Sequence, residues 1–418
     1  MLLNILKQHG SSYLFSKLIP GIIGIISVPI FTKLYGFNNY GQIMLLVALC
    51  NLITVCSCGW LSQSWIRFQM GLNATKDIVK AVFYSLAISI IICLAVLSLH
   101  HKIYNAPDSL NWSQYVAISL MTIAMCGVYI IQAGLQSLLK SKNVLIIAIV
   151  LSALSFLLPL LTYFYYPTTT GFLTSYAVAH GVAAIIGIYY FFSTSSDDHL
   201  INSNIQQWFQ YGFPISIWLS LQAAIPFIER SFIQVYLGFE VVGKYTALSE
   251  LVVRSFSIIL FPITLSVQPV IMNYWNQNNK NTAIKIWKQT LKVFLYILLI
   301  LTTLFIFTNQ LIIQLLEELL VLSFKDPLII LIFIGLSGFL WQLNLILHKP
   351  LELEKKTVIM VVIMLFTLFL FTIINASIIT QYGLIGASFS SMIGALTYGL
   401  ICLIYSIVIL PRSNLGFQ

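Results

Sequence analysis

The stretch ERSFIQVYLGFEVVGKYTALSELVVR, residues 229–254, decides how this chain is read. It opens on Glu229 and Arg230 and passes through the turn QVYLGFEVVGK (234–244). It closes on Glu250 and Arg254, four residues apart as on one helix face. Apolar sequence encloses both charged pairs, LSLQAAIPFI (219–228) before the first and VVRSFSIILFPITL (252–265) around the second. A charge near the centre of a bilayer costs roughly 2.5–3.5 kcal/mol on insertion scales, so it normally faces a bundle interior or a wet cavity and finds a partner there. Two readings follow. The pairs are structural and lock helices together, or Arg230 and Arg254 line a central cavity that receives an anionic substrate.

Composition supplies the setting. Of 418 residues 59% are hydrophobic and only 8% charged, against about 25% charged in a soluble domain, which makes this an all-α polytopic membrane protein. The net charge of +9 does not point to nucleic acid, because the basic residues fall in short loops between apolar runs rather than on one face. Cys50, Cys56, Cys58, Cys93, Cys126 and Cys402 lie in or beside apolar stretches without CxxC or zinc spacing. They read as small core residues, with no metal site expected, and no redox compartment follows from them. The first apolar run, from Ser11 to Leu34, is too long for a signal-peptide core and is not followed by a cleavage site, so a retained first helix is expected.

Apolar windows of membrane-spanning length fall at twelve places: 11–34, 40–65, 81–99, 113–139, 144–166, 172–192, 208–235, 243–270, 290–316, 328–347, 357–379 and 383–409. One set of ends and loops carries Lys7, Arg67, Lys76, Lys80, Lys140, Lys142, Lys280, Lys285, Lys288, Lys349, Lys355, Lys356 and Arg412. The other carries little beyond Lys102, Lys244 and Lys325. The positive-inside rule then places both termini in the cytoplasm, and an even number of spans agrees. The polar segment STSSDDHLINSNIQ (193–206) divides the chain into an N-terminal six-helix lobe at 1–195, a linker at 196–206 and a C-terminal six-helix lobe at 207–418.

A repeat supports that division. KLYGFNNYGQ (33–42) joins the first two spans and QVYLGFEVVGK (234–244) joins the seventh and eighth. With one gap, Tyr35, Gly36, Phe37 and Gly41 align with Tyr236, Gly238, Phe239 and Gly243. The glycines suit a tight turn at positive φ. Two lobes related by a pseudo-two-fold axis along the membrane normal are expected, an arrangement in which transporters bind substrate at the repeat interface and alternate access.

The remaining intramembrane polar residues divide between structure and function. Lys17 and Lys33 in the first span, beside Pro20, Gly21, Gly24 and Pro29, snorkel to the headgroups or reach the cavity. Arg67 anchors the second span at the interface or meets a phosphate at the cavity mouth. Gln132 and Gln136, four residues apart, and Asn51 serve as interhelical hydrogen bonds or touch sugar hydroxyls. His180 reads as a core histidine. The stretch YWNQNNKNTAIKIWKQTLK (274–292) sets Ile284, Trp287 and Leu291 at helical spacing among lysines, and an amphipathic helix lying on an anionic leaflet is expected there.

Four segments carry a resemblance: FSKLIPGIIGIISVPIFTKLYGFNNYGQIMLLVAL (15–49), LSQSWIRF (61–68), IERSFIQVYLGFEVVGKYTAL (228–248) and YGLIGASFSSMIG (382–394). The chain resembles the polysaccharide transporters of the multidrug/oligosaccharidyl-lipid/polysaccharide flippase superfamily, in particular the bacterial O-antigen flippases called Wzx. That family commonly has arginine where this chain has Lys33 and aspartate where it has Glu229; both changes keep the charge. The resemblance implies a MATE-like fold and a bacterial inner-membrane location. It implies a lipid-linked oligosaccharide substrate on undecaprenyl pyrophosphate, with the polysaccharide polymerase and chain-length machinery as further partners.

A pyrophosphate cannot be desolvated without cations. Arg230 and Arg254 are the first candidates, followed by Lys17, Lys33 and Arg67. Glu229 and Glu250 are then counter-ions, or exchange H+ or Na+ to reset the carrier; no other cofactor is expected. A cation-coupled multidrug or ion antiporter of the same superfamily is the alternative, although it would favour acids over the arginines and lysines found here. A lipid II-type flippase normally has fourteen helices. No DxD motif, phosphate-cradling glycine loop or nucleophile elbow occurs, and no external loop is long enough for a polymerase or glycosyltransferase, so a transporter rather than an enzyme is expected.

Overall fold

The computed structural model describes residues 2–68, 75–103, 111–138, 140–194, 205–321 and 326–414. Every regular element among them is helical: α1 (Leu2–Phe68), α2 (Thr75–Ile103), α3 (Trp112–Ser137), α4 (Ser141–Tyr163), α5 (Thr169–Thr194), α6 (Ile205–Leu237), α7 (Phe239–Asn276), α8 (Lys280–Leu320), α9 (Pro327–Leu347), α10 (Lys349–Leu353) and α11 (Thr357–Asn414). Lipid offers no hydrogen bonds to a backbone, and a helix satisfies its own N–H and C=O groups. The serines and threonines inside the spans follow the same logic, for Thr54, Ser57, Thr122 and Thr367 all donate to the carbonyl four residues back.

Ten of these helices are long and apolar enough to cross a membrane. Two are much longer than one crossing needs. Leu18–Phe68 has 51 residues and Thr357–Val408 has 52, about 77 Å each at 1.5 Å per residue against a hydrocarbon core of about 30 Å. Each is interrupted once by non-helical backbone, at Gly36 (φ 72°, ψ 159°) in α1 and at Gly383 (φ 55°, ψ −128°) in α11.

The repeated turn has a common backbone geometry. Gly238, which caps α7, has φ 87° and ψ 167°, close to the values at Gly36. This corner of conformational space is essentially closed to any residue with a Cβ. No atom lies within 4 Å of where a Cβ would stand at either position, so the requirement for glycine is conformational and not one of space. The aligned Gly41 and Gly243 sit in ordinary helix instead.

The chain packs as two compact units, one formed by residues 34–228 and the other by 1–33 with 229–418. The first unit has its core around Trp60, Trp65, Cys126, Ile131, Phe191 and Trp208, with a second cluster around Ile53, Ile118, Met121 and Leu173. The other has one core around Ile271, Ile286, Trp287, Phe294, Phe339 and Ile346 and another around Ile233, Tyr245, Leu248, Ile334 and Ile379. Large apolar side chains also stand outward, among them Phe83 and Ile91 on α2, Leu299, Ile306 and Phe307 on α8 and Phe369 on α11. Apolar exposure on this scale belongs to a lipid-facing surface. All six cysteines are free, and five are buried. Most of the linker expected at 196–206 lies outside the described residues.

The lysine-rich stretch departs from expectation. It does not form a separate helix laid on a leaflet by its apolar face, because residues 280–292 are the first turns of the 41-residue α8. Their apolar side turns inward: Ile286 and Trp287 are buried, and the Trp287 indole N–H donates to the Ile346 carbonyl at 2.8 Å. Lys285, Lys288 and Lys292 occupy the exposed side. Burying a tryptophan with its N–H satisfied by backbone outweighs leaving it at an interface.

Candidate functional site

Glu229 and Arg230 lie on the last turns of α6, and Glu250 and Arg254 lie one helical turn apart on α7. The sharp reversal at Gly238 brings these two helices back along each other, so charges twenty residues apart in sequence meet. The meeting is not two separate pairs. Glu250 serves both arginines: Oε1 accepts from Arg230 Nη2 at 2.8 Å and Oε2 accepts from Arg254 Nε at 2.8 Å. Such charge-assisted bonds are the strong class, and one carboxylate screens two guanidinium groups that would otherwise repel. Glu229 finds a partner on α7, accepting from the Tyr245 hydroxyl at 2.7 Å. Tyr245 gave no signal in the sequence, because one tyrosine among 21 in a membrane protein reads as an interfacial belt residue.

Exposure separates the members. The Arg230 side chain is 9% exposed, Glu250 22% and Arg254 35%, so the cluster grades from a buried guanidinium to one that meets its surroundings. The α1 segment packed on this face is shaped for Arg254. A Cβ on Gly24 would stand 1.5 Å from Arg254 Nη1, and one on Gly21 would stand 2.7 Å from the Ile258 side chain. Gly24 is therefore part of the site, which the sequence suggested only as a small residue between two prolines. α9 also lies against α7: Gln342 Nε2 donates to Ser257 Oγ at 2.9 Å, and Gly338 abuts Val253 and Phe256.

The other candidates lie elsewhere. Lys33 is exposed near the end of the first segment of α1, and Lys17 lies in α1 with its side chain outside the described residues. Arg67 is exposed in the last turn of α1, with its guanidinium 5.9 Å from the Tyr211 ring centre. Asn51 is exposed, and Gln132 and Gln136 are half-buried on α3. These last four belong to the unit of residues 34–228, whereas the Glu250 cluster belongs to the other.

The sequence also missed a second charged cluster. Lys349, counted among the loop lysines, is only 1% exposed and His348 only 2%. Glu352 binds both, with Oε1 3.1 Å from His348 Nε2 and Oε2 paired with Lys349 Nζ. The spacing HKPLE (348–352) held a signal, since Pro350 suits the first turn of a short helix and the carboxylate three and four residues on then faces both bases.

Comparison with known proteins bears on this architecture. The sequence profile of a family described as "Polysaccharide biosynthesis protein" matches residues 6–275. Nothing among curated proteins matches. Among solved structures, a MATE transporter in the bent conformation aligns at TM-score 0.64 and 12% identity over 98% of both chains. An inward-facing multidrug resistance MATE family transporter of the MOP superfamily aligns at 0.62 and 12%, over 100% of this chain and 99% of the other. A Pyrococcus furiosus MOP superfamily transporter, described as having a binding pocket of reverse polarity, aligns at 0.63 and 13% over 96% of both. At these identities the likeness is one of fold.

Proposed function

The chain belongs to the polysaccharide biosynthesis protein family, and from that premise we propose that it flips undecaprenyl-pyrophosphate-linked oligosaccharide units across the bacterial inner membrane by alternating access. The observation that supports this reading most is the Arg230–Glu250–Arg254 cluster, set inside a fold shared with transporters. A multidrug carrier for cations has no use for two guanidinium groups held in one membrane-embedded site. A pyrophosphate has, because its charges are desolvated only against fixed cations. Arg254, the more exposed arginine, makes the contact. Arg230, almost wholly buried, positions Glu250, and Glu250 exchanges Arg254 with the arriving phosphate. In the empty carrier the carboxylate occupies the place of the anion, so neither state leaves an uncompensated charge in the bilayer.

The same reading completes the topology. α1 and α11 each cross the membrane twice, about Gly36 and Gly383, which turns ten long helices into twelve spans in two six-helix lobes. The lysine-bearing ends face the cytoplasm, where both termini lie. The sugars travel in a wet cavity while the polyprenyl tail stays in lipid. Lys17, Lys33 and Arg67 attract the anion on its way in, and Gln132, Gln136 and Asn51 offer amides to the sugars.

A deletion strain of the source bacterium tests this. Loss of surface polysaccharide with lipid-linked oligosaccharide accumulating on the cytoplasmic leaflet, reversed by the wild-type gene but not by Arg254→Ala, is the expected result. Normal surface polysaccharide with altered drug sensitivity overturns the reading in favour of the antiporter.

A further inference from the structure

The cluster at the end of α9 holds three groups that exchange or carry protons side by side, His348 and Lys349 buried and Glu352 with 26% of its side chain exposed. Glu352 is a carboxylate in contact with His348, and Lys349 is a further charge acting on it from α10. From α11, the Tyr398 hydroxyl stands 3.5 Å from His348 Nδ1, with Cys402 beside Tyr398. Because a carboxylate only accepts, Nε2 carries the hydrogen that points to Glu352, and Nδ1 of the neutral ring accepts from Tyr398. In that state Lys349 and Glu352 balance and the cluster is neutral.

We propose that His348, Lys349 and Glu352 form a proton-binding site that joins α9 to α11 differently in its two protonation states. A proton arriving on His348 Nδ1 turns that nitrogen from acceptor into donor. Tyr398 must then rotate its hydroxyl to accept, and the buried cluster rises from neutral to one positive charge. Imidazole is the side chain whose ordinary titration spans physiological pH. Among the described residues the other buried histidine is His180, whose Nδ1 faces the Tyr176 carbonyl and whose ring packs on Tyr176; no carboxylate bonds to it.

The contacts around the cluster give the change somewhere to act. Asn344 Nδ2 donates to the Ala395 carbonyl at 2.9 Å, and Ser406 Oγ donates to the Leu347 carbonyl at 3.1 Å, so the end of α9 that leads into His348 is fastened to α11 on both sides of Tyr398. Upstream on the same helix, Gln342 bonds Ser257, one turn along α7 from Arg254. A shift of α9 driven at His348 therefore reaches the face of α7 that carries the arginine cluster. This is a physical connection through one rigid helix, and its coupling is what the experiment measures. The consequence for transport rests on the flippase reading above; proton binding itself does not.

Two tryptophans report on the site. Trp341 lies 6.0 Å from the Tyr398 ring, and Trp287 bonds the backbone of Ile346. The first experiment is a fluorescence titration of the purified full-length protein between about pH 5 and pH 8, the range of the imidazole. The expected result is a one-proton transition in the wild type, absent in His348→Gln. In Glu352→Gln it moves to lower pH, because Lys349 then opposes the proton without compensation. Tyr398→Phe keeps the transition. A wild type without a transition, or one that His348→Gln leaves unchanged, overturns the proposal. Should His348→Gln not fold, the direction of the Glu352→Gln shift decides: an unmoved midpoint overturns it.

The second experiment measures movement of lipid-linked oligosaccharide in reconstituted vesicles at pH 6 and pH 7.5. The wild-type rate is expected to differ severalfold between the two, and the His348→Gln rate to be the same at both. A wild type that titrates but moves no oligosaccharide leaves the proton site standing and sinks the flippase reading. A wild type that moves oligosaccharide at a rate His348→Gln leaves equally pH-dependent overturns the coupling and keeps the flippase.

Discussion

The guanidinium of Arg254 lies so close against the backbone of Gly24 that a methyl group there would stand 1.5 Å from Nη1. The atom it would meet is the far end of a flexible side chain, so a substitution is relieved by moving Arg254 rather than by parting the helices. Gly24→Ala is therefore expected to change the melting temperature little and to impair surface polysaccharide as Arg254→Ala does. Gly212→Ala is the contrast. Its Cβ would meet the Trp60 backbone oxygen at 2.0 Å, which only displacement of α6 can relieve, at a cost of about 1–3 kcal/mol. Thermal unfolding in detergent beside a polysaccharide assay separates the two; equal melting points would count against the Gly24 interpretation.

Glu250 compensates two arginines at once, and its removal should be worse than the removal of either. Glu250→Ala leaves Arg230, 9% exposed, beside a second uncompensated guanidinium. Loss of one partner from a buried pair costs about 3–5 kcal/mol. Adding Arg230→Met should restore most of the lost stability without restoring function. A double-mutant cycle measures the coupling, and strictly additive effects would show that the two side chains do not share the bond seen here.

Tyr245→Phe removes the hydroxyl that Glu229 Oε1 accepts from at 2.7 Å. A buried acceptor stripped of every donor loses about 1–3 kcal/mol, and more when it is charged; Ser391 also bonds Glu229, so the loss here is expected toward the lower end of that range. The shape of the ring is kept, so the loss should appear as a lower melting point with unchanged expression in the membrane. A neutral result would mean that Ser391 alone suffices for Glu229.

Gly36 and Gly238 hold backbone angles that no side chain accepts without strain. Substitution by alanine should cost about 1–3 kcal/mol at each, although neither Cβ would touch anything. Gly41 and Gly243 lie in helix, and alanine there pays no such strain. Comparing the four melting points checks whether the repeated turn depends on conformation rather than packing.

Much of this protein is legible in its sequence, and the reason is solvent. Lipid forces apolar runs of fixed length into helices, so the spans could be placed from composition, and a glycine required at positive φ announces a turn even in an otherwise diffuse repeat. The four charges Glu229, Arg230, Glu250 and Arg254 stood out because the surroundings make them costly. What sequence spacing could not give is how they pair. Glu250 and Arg254 are close in sequence, and the i,i+4 bond was readable. That the same carboxylate also takes Arg230, and that Tyr245 takes Glu229, depends on how α6 and α7 face each other after Gly238. The amphipathic lysine stretch misled for the same reason. Periodicity identifies an apolar face, but only the neighbouring helices decide whether that face meets lipid or the Ile346 backbone.

The sequence by itself determined the class of the molecule, the apolar runs that become its long helices, the place of the paired turns and the charged stretch set among those runs. These follow from local chemistry, the transfer of side chains and backbone between water and lipid, which each segment obeys alone. The tertiary structure alone decided that Glu250 bridges two arginines, that Gly24 makes room for Arg254 and that Tyr245 serves Glu229. Those are pairings between elements separated in the chain, and a hydrogen bond depends on distance and direction in space.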